Sequence, residues 1–71
     1  MQKNGNIDNV AHNLKIFRKT SGLSQESLAQ KIQIDRTAIV HYEAGERIPN
    51  LAILIDIASV LNKSLDDFIK D

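Results

Sequence analysis

Two helix-start signals stand eleven positions apart, at Ser24 and Asp35, and no Gly or Pro lies between them. Ser and Asp are preferred N-cap residues, because their side-chain oxygens accept hydrogen bonds from orphan N–H groups of the first turn. Each is framed by the same apolar pair. Leu23 and Leu28 flank the first, and Ile34 and Ile39 flank the second, in the spacing of a hydrophobic staple. A second helix start requires that the previous helix has ended. The chain is therefore predicted to turn at Ile32-Gln33-Ile34, with Gln33 at positive φ, a strain of roughly 1 kcal/mol for a residue with a Cβ.

The rest of the chain is read around that turn. A first helix is predicted from about Asn9 to Ser21, with Val10, Leu14 and Phe17 on one face and Gly22 ending it. The third runs from Arg36 to about Ala44, and Gly45 supplies a left-handed cap. Pro49-Asn50 opens a fourth, with Leu51, Leu54, Ile55, Ala58 and Leu61 as its expected core stripe. Ser64-x-x-Asp67 fits a capping box for a fifth, whose apolar face is Leu65, Phe68 and Ile69. No segment alternates as a strand would. The expectation is an all-α, compact five-helix bundle, residues 9–71, preceded by a flexible polar arm at 1–8.

Composition narrows the chemistry. The 71 residues make one domain, of a size that buries roughly 60% of its unfolded surface. The absence of cysteine removes disulfides and thiolate metal sites, and the two histidines, His12 and His41, are 29 positions apart. No cofactor, metal or small-molecule ligand is indicated. The first 25 residues lack the apolar run of a signal peptide, and the longest apolar run is Leu51 to Ile55, far short of a membrane span. A cytoplasmic protein is the default expectation. No phosphate-binding loop, H-E-x-x-H or G-x-S-x-G motif points to an enzyme. The formal net charge is zero, but its distribution is polar: residues 12–47 carry a net +2 and residues 48–71 a net −2.

Two short helices joined by a three-residue turn are a helix-turn-helix. Ala29 falls on the inner face of the second, where a small side chain lets the two approach. On the third, Ala38, Ile39 and Tyr42 point inward while Arg36, Thr37, Val40 and His41 point outward. Arg on such a face suits guanine, and Thr suits an acceptor or a thymine methyl, in the major groove of duplex DNA. Residues 14–69 then resemble the DNA-binding domain of phage repressors and Cro proteins, the Xre-type helix-turn-helix family. The resemblance is carried by Leu14, Arg18, Gly22-Leu23-Ser24-Gln25, Leu28-Ala29, Arg36-Thr37, Ile39, Tyr42-Glu43-x-Gly45, Pro49, Leu61 and Ser64-Leu65-Asp66.

That resemblance implies a lambda-repressor-like fold and a role for each matching position. Ser24 and Gln25 would meet a phosphate at the start of the second helix. Arg36, Thr37, Val40 and His41 would face base edges, and Arg47 would reach a phosphate or the minor groove. Arg18 and Glu43 would form an ion pair tying the first helix to the end of the third. Four positions depart from the family pattern: Gln33 for Gly, Asp35 for Ser or Thr, Ala44 for Asn and Glu46 for Lys. They imply fewer neutralised phosphates and modest non-specific affinity.

The expected function is sequence-specific binding of double-stranded DNA by a transcriptional regulator such as a repressor, as a homodimer on a palindromic operator. Ile53, Leu65, Phe68 and Ile69 are the expected dimer surface. With no effector domain in these 71 residues, a stand-alone regulator of phage, mobile-element or restriction–modification type fits. The alternative is a protein-interaction module, an antitoxin-like or anti-repressor partner, that keeps the fold with weak or no DNA binding; Asp35, Ala44 and Glu46 favour it.

Overall fold

Five α-helices account for most of residues 6–70, the part of the chain that the structure, a computed structural model, describes. They are α1 (Asn6–Thr20), α2 (Gln25–Ile32), α3 (Arg36–Glu43), α4 (Leu51–Leu61) and α5 (Leu65–Ile69), with no strand among the described residues. Three of the helix starts, those of α2, α4 and α5, are built by side chains. Ser24 Oγ accepts from Ser27 N at 2.9 Å, and Asn50 Oδ1 accepts from Ile53 N at 2.9 Å. At α5 the capping box is complete, with Asp67 Oδ2 accepting from Ser64 N and Ser64 Oγ accepting from Asp67 N. The bond from Ser64 N–H holds the Asp67 carboxyl below the usual aspartate range, with the Ser64 hydroxyl, Lys70 and Lys63 adding to the effect.

The first four helices end in one and the same way. In each, two successive N–H groups fold back on the last turn, as in Leu23 N to Arg18 O at 3.1 Å and Ile34 N to Ala29 O at 3.0 Å. This closure needs a left-handed residue, and Gly22, Gln33, Gly45 and Asn62 supply it at φ of 76°, 63°, 76° and 58°. The predicted positive φ at Gln33 is therefore found. Asn62, unmarked in the sequence reading, does the same after α4; Asn is among the few side chains that enter this region at low cost.

The core takes one fully buried side chain from each helix: Leu14, Leu28, Ile39, Ile57 and Phe68. Phe68 meets Phe17 edge to face at 5.1 Å between centroids. α1 packs on α5 and α3, and α2 packs on α3 and α4. Ala29 is buried where α2 faces its neighbours, as a small residue there must be.

Four expectations need correction. α1 begins at Asn6, so residues 6–8 are helix rather than arm; residues 1–5 lie outside the described part. Asp35 occupies the N-cap position of α3, but its carboxylate makes no capping bond. The core face of α4 is rotated from the predicted stripe. Ile57, Ala58 and Leu61 are buried and Leu54 is half-buried, whereas Leu51 is 64% and Ile55 48% exposed. Phe68 has no exposed surface and cannot contribute to a dimer contact, and Ile53 is half-buried against the core.

α1 also fastens α5 through two asparagines to which the sequence analysis assigned no role. Asn13 Nδ2 donates to Phe68 O at 2.9 Å and to Lys70 O at 2.7 Å, and Asn9 Nδ2 donates to Ile69 O at 3.1 Å. These bonds satisfy carbonyls that a five-residue helix leaves open at its C-terminus.

Candidate nucleic-acid interface

The angle of α3 is held by a buried ion pair. Arg18 of α1 meets Glu43 at the end of α3 through two bonds, Nε to Oε2 at 2.5 Å and Nη2 to Oε1 at 3.0 Å. The two side chains are 9% and 4% exposed. Arg18 Nη1 also donates to Leu23 O at 2.7 Å, which ties the turn before α2 into the same cluster. Gln25 Nε2 donates to Glu43 Oε1 at 3.1 Å. A guanidinium fork on a carboxylate fixes direction as well as distance. The start of α2, the end of α3 and the last turn of α1 are thus locked by one carboxylate, and no buried side-chain polar atom among the described residues lacks a partner.

On that frame α3 turns one side to solvent. Arg36 and Thr37 are exposed, Val40 and His41 are half-buried, and Arg47 is exposed beyond the helix end. Ile39 and Tyr42 face the core, as their spacing predicts. Arg47 lies over the Tyr42 ring at 5.8 Å, so the buried ring steadies the cation from below. At the start of α2, one amide hydrogen of Gln25 is engaged with Glu43, which leaves the other for an outside acceptor. Ser24 Oγ is engaged in the cap and with Ser27 Oγ at 3.0 Å.

Acidic side chains stand beside two of the outward basic residues. Glu26 of α2 lies 3.9 Å from Arg36 Nε, and Gln30 Nε2 donates to the other oxygen of Glu26 at 3.1 Å. Glu46 Oε1 lies 2.5 Å from His41 Nδ1. In the sequence Glu46 stands out only as a departure from the family pattern, and Glu26 is not marked as a partner of Arg36. The Glu26–Gln30 pair is legible as an i,i+4 spacing, but the His41–Glu46 contact crosses the end of the helix and has no such signal.

A short helix with an exposed Arg-Thr-His side, seated against a second helix by a three-residue turn, defines a helix-turn-helix DNA-binding protein. The chain belongs to the helix-turn-helix family: residues 14–68 match its family model. It is 42% identical over 60 residues to an uncharacterized transcriptional regulator of this type from Bacillus subtilis, YqaE, covering 84% of this chain but only 52% of that protein. It is 39% identical over 56 residues to the control protein C.SmaI of Serratia marcescens, covering 79% of this chain and 67% of the other. Among solved structures it resembles the restriction-modification controller protein C.AhdI from Aeromonas hydrophila. There the TM-score is 0.79 and the identity 28%, over 84% of this chain and 91% of that one. The chain is a DNA-binding regulator by family. No helix among the described residues is long and apolar enough to cross a membrane.

Proposed function

We propose that this protein reads duplex DNA by placing α3 in the major groove, as a non-enzymatic transcriptional regulator. The observation that carries this reading is the locked α3, exposed on its Arg36, Thr37, Val40 and His41 side and fixed behind by Arg18 and Glu43. Arg36 opens the helix and takes a base edge; Thr37, Val40 and His41 follow it along the groove. The free amide hydrogen of Gln25, the α2 N-terminus and Arg47 take phosphates.

One helix reads too few base pairs to find a site in a genome, so two copies act together on half-sites about 34 Å apart. The second copy is met by the apolar residues that the fold leaves in solvent. Ile48, Leu51 and Ile55 form one group at the start of α4, and Leu65 and Ile69 are one turn apart on α5. They replace the fully buried Phe68 in the expected contact. The likeness to the control protein C.SmaI and the restriction-modification controller protein C.AhdI supports a regulator of the restriction–modification kind.

Selection of bound duplexes from a random pool, then affinity against salt and stoichiometry by light scattering, tests this reading. The expected result is a two-fold symmetric site, two chains per duplex, and log K falling linearly with log salt. Leu51→Lys with Ile55→Lys should abolish the pairing and leave each domain folded. No selected sequence and no salt dependence would favour the protein-interaction module instead.

A further inference from the structure

We propose that Glu46 fixes which ring nitrogen of His41 carries the hydrogen, and through it which bases α3 accepts at the position His41 reads. This deepens the α3 reading above and rests on it. The left-handed Gly45 reverses the chain after α3, so that Glu46 N donates back to His41 O at 3.0 Å. The same reversal swings the Glu46 side chain against the ring, with Oε1 2.5 Å from Nδ1. A carboxylate can only accept, so the hydrogen between them belongs to Nδ1.

The consequence falls on the other nitrogen. The His41 side chain is 38% exposed, and among the described residues Nε2 has no partner. With the hydrogen on Nδ1, a neutral ring presents Nε2 as an acceptor, which suits the amino group of adenine or cytosine. The opposite tautomer presents Nε2–H as a donor, which suits guanine N7 or O6. Of the other charged groups around α3, Arg18 of α1 holds Glu43, Glu26 of α2 lies by Arg36 and Arg47 lies on Tyr42, while the Asp8 carboxylate of α1 stands beside Gly45. Glu46 is thus a positioning residue, acting on DNA through His41.

The test uses the intact chain, with wild type, His41→Ala, Glu46→Ala and Glu46→Asp. The first measurement is the ring nitrogen spectrum of His41 without DNA at pH 8. The second is affinity for the selected duplex and its single-base variants at the same pH. His41→Ala should flatten the preference at one base position. Wild type should favour adenine or cytosine there by roughly five-fold. Glu46→Ala should lose that preference and the Nδ1–H signature, and Glu46→Asp should restore both. Removing the Glu46 charge also raises affinity for every duplex alike, but the ratio between duplexes is free of that effect. If His41→Ala flattens no position, the α3 reading fails at His41 and the inference falls with it. If His41→Ala flattens one while Glu46→Ala keeps both the preference and the tautomer, the inference alone is overturned.

Discussion

The α2–α3 pair and the α4–α5 pair contribute equally to the core, with Leu28 and Ile39 from one and Ile57 and Phe68 from the other all fully buried. Their outer surfaces are unlike. Around α3 nearly every polar side chain has a partner: Arg18 and Gln25 on Glu43, Gln30 and Arg36 on Glu26, Glu46 on His41. On α4 and α5 the outward positions include Leu51, Ile55, Leu65 and Ile69, apolar groups left in water. Polar groups bonded in a network have a fixed direction, which reading a base edge requires. Apolar groups need no such aim and are satisfied by any close-fitting surface. The difference separates a half whose polar groups have a fixed direction from a half that leaves apolar groups in water.

The comparison breaks most readily at the ion pair. Glu43→Ala leaves Arg18 buried without its carboxylate and frees Gln25, which should cost about 3–5 kcal/mol. For a domain this small, that is much of its stability. Thermal melting checks it, and an unchanged midpoint would mean that the α2–α3 half is not held as described. On the other half, Ile57→Ala should cost about 2–5 kcal/mol by opening a cavity, whereas Ile55→Lys should stay within about 0.5 kcal/mol. Urea midpoints of the two variants would reverse that order if the predicted stripe, not the observed one, were the core. Gln33→Gly should gain at most about 0.5 kcal/mol, roughly 1 kcal/mol of left-handed strain removed less about 0.5–1 kcal/mol for the entropy of glycine. The smallest effect is at α5. Because the Asp67 carboxyl is held below its ordinary range, its capping box stabilises the fold above that range and is lost as pH falls through the folded value. Asp67→Asn should therefore be less stable than wild type at neutral pH and equal to it in strong acid.

What was legible in the sequence was local. Ser24, Asn50 and Ser64 cap groups three residues away, so their signals are complete within one turn. The turn at Gln33 followed from two such signals in conflict, and the ion pair came with the family resemblance. The face of α4 was not legible, because nine of its eleven residues are apolar and no period singles out one side. That helix is oriented by its neighbours α2 and α5, which the sequence does not place. Asn9 and Asn13 were hidden for a related reason: their acceptors lie more than fifty positions away. At the interface, Arg36 and His41 could be read as outward from helical spacing, but their carboxylate partners could not, since Glu26 reaches across two helices and Glu46 returns through a turn.

The central claim is that the exposed side of α3 reads bases. The affinity of Arg36→Ala for the selected duplex, and for every single-base variant of it, tests that claim most directly. The account predicts a loss of roughly 1–3 kcal/mol on the selected site and a flattened preference at one base pair per half-site, with melting unchanged. Unchanged affinity and an unchanged preference profile would contradict it.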